Sequence, residues 1–363
     1  MFFYSSNKDL NNPWVLFFII GGKNMKKERI AVGVVVLFLM SCLVPVSGYS
    51  SQGPFVASNG NWWYVGGGGP GNFTRIQDAI DNASAGDTVF VYDDSSPYYE
   101  NIRIEKSITI RGENKNSTVI TGITSANNAS GVNITADAVS ISRFTIQNFS
   151  HGIYLTSNNN QISDNIFRDN FGGIWTHYDN LSTSIPPHLG HNTIVNNSFI
   201  NNTNSVFSVS GWNNTVEGNF ISQSSIGITL GATVNTIFSL NHLSENFVGI
   251  AVLSSYNTTV CQNNFSDNEL GVLTFGTSAD NILQNNFIRN NWSAMSYQRF
   301  LSRFRHLNIT LGFPLRRAVW NGNYWDKPRS SPFIIPGVFM IALFKVPLGF
   351  QVDWHPAQEP YDI

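Results

Sequence analysis

Asn197, Asn219, Asn241, Asn263 and Asn285 stand 22 positions apart. The same spacing carries an apolar column two residues on: Phe199, Ile221, Leu243, Phe265 and Phe287. Another column reads Ile194, Val216, Phe238, Val260 and Ile282, and a further one Gly227, Gly249 and Gly271. A fixed period of this size is the signature of a solenoid. One repeat alone cannot bury its apolar side chains; it does so only against the repeats above and below. The apolar residues come in short bursts between Asn, Ser and Gly, without the i, i+3, i+4 spacing of a helix. The pattern predicts three short strands and three turns per repeat, which is an all-β, single-stranded parallel β-helix.

Within such a coil Val216, Ile221, Ile228 and Leu230 point inward and Thr229 outward, because strand side chains alternate. Asn219 falls between two strands. Asn tolerates the left-handed conformation of a sharp turn, and amides stacked one per coil can bond along the axis. Phe167 and Phe199 are 32 residues apart, one period plus ten, which places an insertion near 178–190 around Pro186-Pro187. The span 87–292 has room for roughly nine coils, a rod on the order of 40–45 Å long. Ahead of it, Phe73, Ile76, Ala79 and Ile80 sit at helical spacing, with Thr74 as the expected N-cap. A short helix there, in a region 70–86, caps the open apolar end of the first coil. Residues 293–363 form the C-terminal cap region.

Charged residues make up only 12% of the chain, which suits a rod surfaced with Asn, Ser and Thr. Lys26-Lys27-Glu28-Arg29 precedes the uncharged run 30–40, so 25–48 reads as a signal peptide or membrane anchor. Met25 is then the expected start, and 1–24 an extension outside the native protein. Removing 1–48 leaves 16 Lys/Arg against 21 Asp/Glu, a charge of −5. That balance argues against general nucleic-acid binding. It also leaves Cys261 alone, so no disulfide framework is available. Many Asn-X-Ser/Thr sequons accompany the export signal, and Asn180 is a loop site well placed for modification.

Three stretches carry a family resemblance. Phe73-Thr-Arg-Ile-Gln-Asp-Ala-Ile, continuing through Gly86-Asp-Thr-Val-Phe-Val, resembles the N-terminal cap and first coil of right-handed parallel β-helix proteins of the NosD-like, pectin-lyase-like group. The Gly152-Ile-Tyr-Leu and Asn281-Ile-Leu-Gln-Asn-Asn-Phe stretches resemble its coils. Trp320-Asn-Gly-Asn-Tyr-Trp-Asp and Asp353-Trp-His-Pro are similar to endings of secreted prokaryotic members, archaeal ones especially. The resemblance implies a right-handed coil. It implies periplasmic copper delivery for one branch and polysaccharide cleavage for others, and fold alone decides between neither.

Polysaccharide lyases and hydrolases of this fold need clustered carboxylates, often with Arg or Ca²⁺. The coil acids Asp164, Asp169, Glu217, Glu245, Asp267, Glu269 and Asp280 are sparse, and Asp164, one residue before the Asn column, and Glu217, one after an apolar column, belong to different faces, so catalysis is not the expectation. On the Gly-Ile-X-Leu strand the outward column reads Tyr154, Trp175, Phe207, Thr229, Ala251 and Leu273. Its first three members are the candidate carbohydrate platform, since aromatic faces stack on the apolar faces of sugars. His177, His188 and His191 bracket the insertion and are the candidate metal ligands, for Cu²⁺ or Zn²⁺. Arg289, Arg299, Arg303, Arg305, Arg316 and Arg317 form a basic tract. The apolar run 333–350 contains Pro336, Gly337, Lys345 and Pro347, which reads as strands of the exit cap and not as a membrane span. The expectation is an extracellular or surface-held β-helix that binds or presents an envelope polysaccharide or glycan without catalysis. It carries no resident cofactor, takes no nucleic acid, and meets the membrane only through its N-terminal segment. The rivals are a polysaccharide-active enzyme and a NosD-type copper-binding protein.

Overall fold

Thr215–Glu217, Phe220–Ser222 and Ile226–Val234 make one coil, and each pairs in parallel with a strand 22 residues on. Repetition of this unit builds three sheets. The computed structural model describes residues 60–122, 130–176, 190–202, 207–253, 255–275, 280–299, 318–341 and 344–363. Within them the first sheet has eleven strands, from Trp62–Val65 to Val319–Asn321, and the second nine, from Val119–Thr121 to Tyr324–Trp325. The third has eleven, from Ile102–Ile104 to Phe344–Asp353. The molecule is a right-handed parallel β-solenoid of about nine coils with one short helix among the described residues. The expected export segments, 1–24 and 25–48, lie outside the described residues. No helix among the described residues is long and apolar enough to cross a membrane.

The apolar columns line the interior as their spacing requires. Ile194, Val216, Phe238, Val260 and Ile282 are buried in the first sheet, and Phe199, Ile221, Leu243, Phe265 and Phe287 in the second. Large rings stack along the axis: Phe167 on Phe199 at 4.8 Å, Phe265 on Phe287 at 5.1 Å, and Phe287 on Trp325 at 4.5 Å. Stacked aromatic pairs add to burial by about 0.5–1.5 kcal/mol each.

The corners work differently from the sequence expectation. Asn219 itself is not left-handed; the residue before it is, Gly218 at φ 63°. The same holds for Asn196 before Asn197, Leu240 before Asn241, Gln262 before Asn263 and Gln284 before Asn285. These left-handed residues turn the chain at the surface. The Asn that follows lies inside the corner, where polar backbone groups would otherwise be orphaned. Asn241 is fully buried. Its side-chain amide donates to the carbonyls of Val216 at 3.0 Å and Ser239 at 2.8 Å, and to Asn263 Oδ1 at 3.0 Å. Its Oδ1 in turn accepts from the backbone N–H and side chain of Asn219, both at 2.9 Å. The ladder runs through Asn165, Asn197, Asn219, Asn241, Asn263, Asn285 and Asn323. A second corner repeats it with Asn246, Asn268 and Asn290, and a third starts with Asn160, Asn192 and Asn214.

At the N-terminal end, strand β1 (Trp62–Val65) pairs in parallel with β2 (Thr88–Val91), so the first sheet begins upstream of the expected cap region. Helix α1 (Ile76–Asn82) buries Ile76, Ala79 and Ile80 against the first coil. Thr74 is not its N-cap: Arg75 holds that position and makes no side-chain cap bond. The free N–H groups of Ile76 and Gln77 donate to the Glu100 carboxylate at 2.8 and 3.1 Å. An acid from the coil below satisfies both orphan donors and also favours the positive end of the helix dipole. Lys106 does the converse at the other end, donating to the carbonyls of Ile80, Asp81 and Ala83. At the C-terminal end the run 333–350, expected as strands of the exit cap, lies in Phe333–Ile341 and Phe344–Asp353, which pair as an antiparallel hairpin.

Candidate functional site

The third sheet carries the aromatic column. Gly152 allows the close approach that sets it: a Cβ there would stand 2.6 Å from the Gly173 carbonyl oxygen and 2.8 Å from Phe167 Cδ1. The strand His151–Leu155 then buries Ile153 and Leu155 and turns Tyr154 outward. Gly172–Thr176 pairs with it so that Trp175 lies directly beside Tyr154. Both side chains are half-buried. His151 completes the surface, its ring centroid 5.1 Å from Trp175 and 6.1 Å from Tyr154. Three partly exposed rings thus share one face on adjacent coils.

Phe207 does not continue this column. It stands opposite Ile174, and Ser208 takes the place beside Trp175. One extra residue upstream explains the shift: Ser222 follows its partner Ile200 by 22 residues, but Thr229 follows its partner Ser208 by only 21. Counting back one full period from Thr229 therefore lands one residue too early. A bulge then restores the period, because the later strand carries one residue more between Leu230 and Thr233 than its partner does between Val209 and Gly211. Further along, Ala251 and Leu273 of the same column are buried.

His191 is exposed and left-handed at φ 57°, the corner position before Asn192, and its Nε2 is 3.4 Å from Asn213 Nδ2. That is a structural place in the corner. His177 and His188 lie outside the described residues. His242 stacks on Phe220 at 5.4 Å, and its burial pulls its pKa below the usual value against the opposing pull of Asp267. His355 Nδ1 contacts Asn321 Oδ1 at 3.0 Å. Among the described residues no three His, Cys, Asp or Glu side chains converge as metal ligands, so those residues do not fit a copper centre.

The coil acids are held by neighbours. Lys115 Nζ meets Asp164 at 2.6 Å, Arg289 grips Asp267 at 2.5 and 2.7 Å, and Asn201 donates to Asp169 at 2.7 Å. Asn291 donates to Glu269 at 2.7 Å, and buried Asp280 accepts from Ser255 Oγ and the Thr258 N–H. Arg289 is thereby the one member of the basic tract with a defined ion pair among the described residues. Cys261 is a half-buried wall residue whose thiol is pushed above its ordinary pKa by burial and by Glu217.

A second aromatic face escaped the sequence reading. Trp62 and Tyr64 of β1 and Phe90 of β2 point outward, with Tyr92 just beyond. Trp62 and Tyr64 lie 6.3 Å apart, Tyr64 and Tyr92 6.1 Å, and Phe90 and Tyr92 5.0 Å. The signal was the same period-2 alternation in both strands, an aromatic residue at every outward position from Trp62 to Tyr64 and from Phe90 to Tyr92. The β1 segment precedes the helix and does not share the 22-residue repeat.

The fold and the outward rings define a β-helix that offers flat aromatic surfaces on otherwise polar walls. The chain belongs to the family described as periplasmic copper-binding protein (NosD), which it matches over residues 80–185 and 187–330. No curated protein matches it. Among solved structures, XylC in complex with xylose is similar at 13% identity and a TM-score of 0.55, over 65% of this chain and 68% of that one. The A-module of the mannuronan C-5 epimerase AlgE4 of Azotobacter vinelandii aligns at 15% identity and a TM-score of 0.47, over 72% of this chain and 83% of that one. At such identities the likeness concerns the fold alone.

Proposed function

We propose that this protein is an exported, surface-held β-helix that binds an envelope polysaccharide or glycan on the sheet face bearing Tyr154 and Trp175, without transforming it. The observation that carries this reading is the register: Tyr154 and Trp175 are direct neighbours on adjacent coils and both are partly exposed. Aromatic rings in open water lose little by stacking on a sugar's apolar face. The bound state needs no rearrangement of the rod, because strands on both sides hold the rings in place. Export is supported by the family description and by the basic-then-apolar pattern at 25–48.

Copper binding is the second reading, and the family description favours it. The described residues lend it no ligand set, so it rests on residues outside them, His177 and His188 among these. One sample separates the two. A glycan-array screen of the purified protein is expected to return a defined set of glycans, and metal analysis of the same sample to return no stoichiometric copper. Stoichiometric copper with an empty array would replace the first reading by the second.

A further inference from the structure

The aromatic face of β1 and β2 continues into a cavity of about 640 Å³ at the N-terminal end of the rod. Tyr64, Tyr92 and Asn72 line it together with three carboxylates, Asp93, Asp94 and Glu113. Volumes of this size suit small ligands or one to a few residues of a chain. The cavity is built on rigid elements, since β1 and β2 are paired over four residues and Tyr98 Oη holds the Tyr92 carbonyl at 2.7 Å.

Its charge is one-sided. Asp94 accepts from the Gly67 N–H at 2.9 Å and from Ser95 Oγ at 3.0 Å. Asp93 accepts from Ser117 Oγ at 2.6 Å, and Glu113 from the Asp93 N–H at 3.1 Å. These neutral donors fix the three side chains but supply no opposite charge. Among the described residues none of the three is in an ion pair. They do not converge as the ligands of a metal ion either. In the free protein water meets their charge, since Asp94 is exposed and Asp93 and Glu113 are only partly buried, and that leaves it available to a cationic ligand. The aromatic wall narrows the choice, because ring faces attract organic ammonium groups and stack on flat apolar surfaces. A neutral sugar would desolvate the carboxylates without repayment, and an acidic sugar would be repelled.

We infer that this cavity binds an oligosaccharide of amino sugars bearing free ammonium groups, with its rings against Tyr64, Tyr92 and Trp62 and its ammonium groups against Asp93, Asp94 and Glu113. The site is distinct from the Tyr154–Trp175 face, and the inference stands whether or not that face binds glycan.

The test is titration calorimetry of the purified protein with a β-1,4-linked glucosamine hexamer and with its N-acetylated counterpart, at two salt concentrations. The hexamer with free amines is expected to bind at least about tenfold more tightly and to weaken as salt rises. Glu113→Gln and Asp94→Asn keep the oxygen that accepts the neighbouring N–H and remove only the charge. Each is expected to weaken binding about tenfold with an unchanged melting curve, and Tyr64→Ala to weaken it comparably. Equal affinity for the two hexamers would overturn the inference. So would binding that ignores Glu113→Gln and Asp94→Asn, or a simple alkylammonium salt that competes as well as the sugar. Tyr154 and Trp175 variants report on the other face, so the two readings fail separately.

Discussion

Asn323 gives both its backbone N–H and its side-chain amide to one carboxylate oxygen of Asp353, at 2.9 and 3.0 Å. In every earlier rung those two donors go to the Oδ1 of an Asn in the next coil. At the last rung no further Asn follows, and the fully buried Asp353 stands in its place. The same carboxylate accepts from Trp325 Nε1 at 3.1 Å, the Gly322 N–H at 3.2 Å and the His355 N–H at 3.1 Å. Five donors meet an acceptor-only group. Asp353→Asn leaves one oxygen and turns an NH₂ against the donors that used the other. A loss of about 2–4 kcal/mol is expected, the cost of stranded buried donors. Denaturant melts of the variant check it, and an unchanged midpoint would show that the ladder's end needs no anion.

Phe265 is fully buried between Leu243 and Phe287 in its column. Phe265→Asp places an unpaired carboxylate in that stack, which costs several kcal/mol. Coils depend on each other's interfaces, so hydrogen-exchange protection is expected to collapse over several coils on both sides. Loss confined to the coil of Phe265 would contradict this.

Asp87 ties the first coil to β1. The Ser84 N–H, the Trp63 indole and the Asn61 N–H all donate to it, and the first of these does most to hold its carboxyl below the usual 3.8, against the opposing effect of burial. A carboxyl lowered by folding stabilises the native state above its unfolded-state pKa. That stability is lost as pH falls from about 4 through the lower folded-state value. The melting temperature is therefore expected to drop on acidification below pH ~4. In Asp87→Asn, part of that drop is expected to be absent. Identical acid profiles for the two proteins would remove Asp87 from the account.

Leu240 sits at φ 56° at an exposed corner. The left-handed region costs a branched L-residue about 1–2 kcal/mol, and Asn visits it more easily. Leu240→Asn is expected to raise stability by about 0.5–1 kcal/mol. A lower melting temperature would mean that the half-exposed Leu side chain contributes more by packing than its backbone costs.

What was legible in the sequence was whatever repeats. The columns through Phe199, Val216 and Gly227 follow from periodicity alone, because each coil meets the same neighbours as the last. What was not legible is whatever breaks the repeat or acts across coils. One extra residue between Ile200 and Ser208 displaces Phe207 from the Trp175 register, and the bulge after Leu230 restores the period. Glu100 replaces Thr74 as the helix cap from 24 residues away, a distance no local capping pattern reads. Asp353 was visible as part of a familiar ending, but its task at the foot of the Asn ladder appears only once the coils are stacked. The corner Asn residues were legible as a column, while the division of labour between the left-handed residue and the buried amide was not. The Tyr154–Trp175 face needed only alternation and period and was read correctly as a pair of neighbours. The β1–β2 face needed the pairing of a strand that stands outside the repeat.

The most direct test of the binding role is the affinity of the Tyr154→Ala/Trp175→Ala variant for whichever glycan the array selects. Each ring is expected to contribute roughly 1 kcal/mol of stacking. Affinity should therefore fall by at least about tenfold, while the melting temperature stays within the shift of about 0.5 kcal/mol typical of surface changes. Undiminished affinity in a variant that folds normally would contradict the role assigned to this face.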